Sequence, residues 1–424
     1  MKSLVQTALD CLRGLGSVEE MRRLGEKSSI GWVRNNSHIH LPPNFSAFEN
    51  VEQAVRLAAG QQVTVVGLSN YYDFEVYGDF FQLGREHRIF PVFGLEVICL
   101  IDELVKAGVK VNDPGNPGKM YLCGKGITRF GDLTQKAQQI IAAIRGNDTE
   151  RMGKMIDLLT KVFEGKGVAA GLTAQKVVEQ VCRRHGCSKE RVTLQERHVA
   201  KAFQEAFFSL VPGPRRGKLL GEIFGVESKA GPEDEVKIQN EIRSHLMKAG
   251  KAGFVQETFL DFEQAYSLIL ELGGIPCYPT LADGASPICL YEEPVEKLIA
   301  DLKKRKVYFA EYIPIRNQPQ VLLHYVKTMR QAGIPVSGGT EHNTLDLLGI
   351  EPTCLNKIPV PEDIKAIFWE GACVAAGHQF LTLHGQCGFV DNKGNPNPAY
   401  TTEEERIGAF AKIGAAVIRK YQQG

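Results

Sequence analysis

Two histidines one residue apart, His38 and His40, form the first pair in the chain whose type and spacing suggest chemistry. The run over residues 32–40 reads as extended and is ended by Pro42-Pro43, which cannot continue a strand ladder. On a strand, side chains at i and i+2 project to the same side, so both imidazoles can grip one cation. Other polar groups close other short apolar runs: Ser69-Asn70-Tyr71-Tyr72-Asp73, Gly94-Leu95-Glu96, Cys277-Tyr278-Pro279, Glu311-Tyr312 and Gly338-Gly339-Thr340-Glu341-His342-Asn343. Imidazole and carboxylate together suit zinc, manganese or iron. An isolated H-x-H also arises by chance, and Glu96 alone would serve equally well in an ion pair. The weight comes from position, because these groups fall at successive strand ends.

The elements that must hold them alternate. The first thirty residues read as helix. Helix is then expected over 51–59 and 77–87, with strands over 32–40, 63–68 and within 89–100. Residues 131–255 are rich in Ala, Lys, Glu, Gln and Leu at helical spacing and read as a helical insertion, with a turn at 212–218. Alternation resumes with strands over 275–278, 307–313 and 334–337 and helices over 262–272, 293–304 and 318–331. The expected division is an N-terminal helix (1–30), a first barrel part (31–130), the insertion (131–255), a second barrel part (256–350) and a mixed C-terminal extension (351–424) ending in an amphipathic helix over 402–422. Such β-α alternation implies parallel strands with helices outside, and in that architecture chemistry gathers at the C-terminal strand ends.

Bulk composition narrows the class. The 424 residues are 43% hydrophobic and 23% charged, with a formal net charge of +1, which argues against a chain built to coat nucleic acid or an acidic membrane. No apolar run is long enough to span a bilayer. Ten scattered cysteines suggest reduced thiols and a cytoplasmic setting. Cys182 and Cys187 lack a second ligand pair at zinc-finger spacing and read as the end of a surface helix.

In order along the chain, these motifs resemble the PHP (polymerase and histidinol phosphatase) superfamily, most closely its stand-alone phosphoesterases. His38 and His40 match the family's opening H-x-H, and Gly94-Leu95-Glu96 its G-x-E strand. Leu172-Thr173-Ala174 and Glu196-Arg197-His198-Val199-Ala200 are similar to its insert motifs, with the arginine displaced by one place. The stretch 262–279 resembles the family's helix, G-G and A-H-P, and Gly338-Gly339-Thr340-Glu341-His342-Asn343 its G-G-S-D-x-H. The resemblance runs from about residue 33 to 350. It implies a distorted (β/α)7 barrel of PHP type with a helical insertion. The run from His38 to Pro43 also resembles uronate-isomerase-like amidohydrolases, but the downstream motifs fit PHP better.

The resemblance places His38, His40, Glu96 and Glu341 at the ligand positions of one divalent ion. Positions serving further ions are altered: Asn70 for aspartate, Tyr71, Tyr278 and Asn343 for histidine, and Asn44 and Phe45 near an absent early aspartate. One ion (Zn, Mn or Fe) is therefore expected and further ions are not. Tyr71 and Tyr278 either fill vacated ligand space or donate a proton to a substrate oxygen. Arg316, just past a strand, is the candidate for holding phosphate, and Glu96 is the central site carboxylate. His198 reads as a capping or packing residue, and His378 and His384 as structural. The implied function is a PHP-type phosphoesterase acting on a small phosphorylated metabolite or nucleotide. Two alternatives stand beside it: a single-metal barrel enzyme, such as a sugar-acid isomerase or non-phosphate hydrolase, and a non-catalytic binding protein. The expected partner is a small molecule, with neither a membrane nor extended nucleic acid. The oligomeric state is left open.

Overall fold

The structure is a computed structural model that describes residues 3–27 and 31–424. Eight strands form one sheet: β1 (Asn35–Ile39), β2 (Val65–Leu68), β3 (Phe90–Leu100), β4 (Lys119–Lys125), β5 (Leu260–Asp261), β6 (Ile275–Thr280), β7 (Ala310–Tyr312) and β8 (Val336–Gly338). Seven of them follow the path β1-β2-β3-β4-β6-β7-β8, while β5 pairs with β3 off that path. A parallel bridge between Ile39 and Glu341 brings the two ends together, so the sheet is a nearly closed barrel. Every strand of β1, β2, β3, β4, β6, β7 and β8 is buried along most of its length, which is why their sequences read as apolar runs rather than alternating ones.

Helices cover the outside. Val51–Gly60 is capped by Asn50, and Phe262–Glu271 by a reciprocal Asp261/Gln264 box. Val295–Lys304 and Pro319–Gln331 bury one apolar face each against the sheet. Residues 135–247 carry five α-helices, beginning with the thirty-residue Gln135–Glu164. This region has a hydrophobic cluster of its own, from Met152 to Met247, separate from the barrel core.

Four expectations need correction. The strands are not all parallel, because β4 runs antiparallel to both β3 and β6. The first thirty residues form two helices, Leu4–Arg13 and Val18–Lys27, broken at Gly14-Leu15-Gly16; residues 1, 2 and 28–30 lie outside those described. The turn expected at 212–218 is instead the start of helix Gly213–Phe224, where a proline in the first turn costs no hydrogen bond. The expected C-terminal helix is present as Glu403–Gln423, but within the stretch read as a mixed extension it packs on a twenty-two-residue helix buried on nearly all sides, Glu362–Leu383. Its Gln379 accepts from Phe93 N (2.7 Å) and donates to Pro91 O (3.1 Å), tying this helix to β3. No helix among the described residues is long and apolar enough to cross a membrane.

Candidate metal centre and its cavity

The ends of β1 and β3 place three donor atoms together. His38 Nε2 lies 3.1 Å from His40 Nε2 and 3.1 Å from Glu96 Oε2, and His40 Nε2 lies 3.2 Å from the same oxygen. Donors sharing one zinc-sized ion at about 2.0–2.2 Å stand about 3.2–3.5 Å apart. The triangle is therefore close to ligand spacing already. All three side chains are buried.

Each corner is held from behind. His38 Nδ1 bonds Glu311 Oε1 at 2.9 Å, which leaves Nε2 as the inward nitrogen. Glu311 meets the ammonium of Lys125 at 2.5 Å, and Lys125 also donates to Ser37 O (2.9 Å) and Ser69 Oγ (3.4 Å). Glu96 accepts at its second oxygen from the Tyr71 hydroxyl, 2.5 Å away. The His40 ring stacks on Tyr71 (centroids 5.1 Å apart), and its Nδ1 is a buried atom with no hydrogen-bond partner.

Electrostatics follow from these contacts. Burial works against charge on His38, but the Glu311 carboxylate outweighs it and lifts the ring to about 9; Lys125 opposes that rise. Burial likewise favours a neutral Glu96, yet hydrogen bonds from His38 and His40 hold it well below the usual carboxylate range. Burial and then Lys125 set Glu311, with Lys125 and His38 prevailing to bring it to about 2. Tyr71 is pushed well above its ordinary value, first by burial and then by Glu96, so it remains a phenol and a donor. The protons that His38 and His40 present to Glu96 from Nε2 would have to leave for these residues to ligate. They fit a single divalent ion. Cys123 Sγ also lies within 4.8 Å of donor atoms of His38 and Glu96. Burial keeps that thiol protonated, however, and a thiol is a poor ligand, so His40 is the better third corner.

Glu341 reaches the same mouth from the end of β8. Gly339 allows this, since a Cβ there would lie 2.4 Å from the Cβ of His38. Glu341 and His342 both adopt left-handed backbone (φ 59° and 52°), uncommon for side-chain-bearing residues and a local strain. The Glu341 carboxylate is paired with the Arg316 guanidinium. His342 turns elsewhere, to Thr340 Oγ1 (2.7 Å) and Leu348 O (3.1 Å), and stacks on Phe48.

Other positions singled out in the sequence are occupied with structural work. Asn70 exchanges two hydrogen bonds with the Leu41 backbone (2.7 and 2.8 Å), and Asn44 two with the Tyr71 backbone (2.5 and 3.2 Å). The structure does not bring Tyr278 to the histidines. It is fully buried and donates to Glu292 Oε1 at 2.7 Å. Glu292 also accepts from Leu281 N and Ala282 N, and burial lifts it to about 7 against those bonds. His198 completes a capping box with Gln195. His378 is satisfied by Gly273 O and Phe389 N, and His384 by Phe380 O. None of the ten cysteines is in a disulfide.

The cluster opens into a cavity of about 490 Å³ between the barrel mouth and the helical region. Tyr71, Glu96, Arg316, Glu341 and Asn343 line its barrel side. The helical side supplies Asp148, Arg151, Arg197 and Arg243. Arg151 and Arg243 have a carboxylate partner in Glu196. Arg197 has none among the described residues, and only the Phe45 ring lies beneath it, 5.9 Å away. Burial, then Arg243 and Arg316, bring its guanidinium down to about 10, with Glu341 opposing. Burial lifts Asp148 to about 6. Arg197 appeared in the sequence only as part of a family motif. Lys125 and Arg243 gave no signal beyond their type, since their meaning depends on which strand or helix faces the cavity.

No protein-family model and no curated protein sequence matches the chain. Solved structures share its fold, among them the following two. One is assigned as a metal-dependent phosphoesterase from Bifidobacterium adolescentis: 14% identity, TM-score 0.51, covering 78% of this chain and 94% of that one. The other is an amidohydrolase from Chromobacterium violaceum with bound sulfate and no metal: 14% identity, TM-score 0.51, covering 79% of this chain and 96% of that one. At this identity the likeness establishes the architecture, a barrel of the type used by metal-dependent hydrolases.

Proposed function

We propose that this chain is a PHP-type, single-metal hydrolase acting on the phosphate ester of a small metabolite or nucleotide. The observation that carries the reading is the His38–His40–Glu96 triangle opening onto a cavity that holds an unpaired arginine. A divalent ion held by these three residues would supply Lewis-acid polarisation of a phosphoryl oxygen. The chain's own groups do the rest. Arg197, with no carboxylate to satisfy it, binds the phosphate and Arg316 flanks it. Tyr71 fixes Glu96 by its hydroxyl, and Glu311 fixes His38 by Nδ1.

A second reading, another single-metal reaction on a non-phosphate substrate, is favoured by Asn44 and Asn70. Amides used as backbone clips cannot hold the extra ions that multi-metal phosphoesterases employ. The deciding experiment measures metal per chain and then phosphate release from a panel of phosphate monoesters and nucleotides with added manganese or zinc. One ion with phosphate release, both abolished by Glu96→Ala, is expected. One ion without release supports the second reading, and no ion leaves a non-catalytic binding protein.

A further inference from the structure

We propose that Arg316 is a resident cation that takes up the Glu341 carboxylate and so limits this site to one divalent ion. The inference rests on the metal-centre reading above and adds what sets its stoichiometry. Three buried carboxylates belong to the barrel side of the site: Glu96 and Glu341 line the cavity, and Glu311 stands behind His38. Two already carry a protein cation, Lys125 on Glu311 and Arg316 on Glu341. Glu96 is the one left with only imidazoles and a phenol as partners.

Arg316 is placed beside one of these anions. Its Nη2 donates to Glu341 Oε2, and Glu96 lines the same cavity as both. A guanidinium there meets the Glu341 charge with one positive charge, where a divalent ion would bring two. With Arg316 in place, a second divalent ion beside the first would find no unmatched carboxylate on the barrel side, and a surplus of positive charge there is disfavoured. Lys125 cannot be traded for an ion in the same way, since its ammonium is enclosed and bound on three sides. Arg316 sits on a short, solvent-reaching turn, Pro314–Arg316, so it is the cation that can be removed without dismantling the barrel.

The test is metal content of the full chain equilibrated with zinc and, separately, manganese, together with calorimetric zinc titration. The native chain and Arg316→Lys should hold one ion, Arg316→Gln two, and Arg316→Gln combined with Glu341→Gln one again. Arg316→Gln holding one ion, or the native chain holding two, overturns the proposal while leaving the metal centre intact. No ion in the native chain, whatever Arg316→Gln holds, overturns both the proposal and the metal-centre reading.

Discussion

Two sets of buried residues near the barrel mouth use similar chemistry to opposite ends. On β1 and β3, ring nitrogens of His38 and His40 converge on Glu96, and the other ring nitrogen of His40 is left without a partner. Asn44 and Asn70, in the loops after β1 and β2, and Tyr278 on β6 are equally buried, yet their polar atoms clip backbone or meet Glu292. Burial and polarity are alike in both sets. What differs is whether hydrogen-bonding capacity remains after the protein has used its share, and of the two only the first set has any to offer a ligand.

The contrast can be broken from either side. Lys125→Met should have the largest effect on stability, because it strands Glu311 behind His38. Removing one partner of a buried ion pair costs about 3–5 kcal/mol, read as a fall in the denaturation midpoint. A loss below about 1 kcal/mol would mean that Glu311 does not depend on this cation. Next comes pH. Glu292 binds its proton more tightly in the folded chain, at about 7, than at its ordinary value of 4.5. The folded state therefore carries more protons in that window, and stability falls as pH rises through it, by about 1.4 kcal/mol per pH unit. Glu292→Gln, a mimic of the protonated form, should flatten that slope between pH 4.5 and 7; an unchanged slope assigns it to another group. Smallest is Asn70→Ala. It leaves Leu41 N and O without partners at a cost of about 2 kcal/mol, with metal content unchanged. Metal lost in that variant would show that the clipping residues also shape the ligand set.

Much of this arrangement was legible in the sequence. Buried strands and one-sided helices have distinct spacings, so the barrel's order could be read, and H-x-H on a strand end implies two rings on one side. The gaps have physical causes. β4 hides because it follows the Gly/Pro-rich stretch 112–118 and carries Lys119 and Lys125 in an otherwise apolar run. Helix Glu362–Leu383 is buried all round, so it has no apolar stripe to detect. Tyr278 sits within β6 and Tyr71 just past β2, but which side of the sheet a residue near a strand end faces is settled by register, which spacing alone does not supply. The vacancy beside Arg197 is likewise tertiary: it exists because Glu196, its neighbour in sequence, is already claimed by Arg151, Arg243 and Lys248.

The seam between β1 and β8 has one more consequence. Glu341 N donates to His38 O, and His40 N to Glu341 O, both at 2.8 Å, so the bonds that draw the ring together belong to the same residues that face the mouth. Ring closure thus fixes the backbone that carries both histidines, and the slow amide protons of His40 and Glu341 would serve as a clock of its opening.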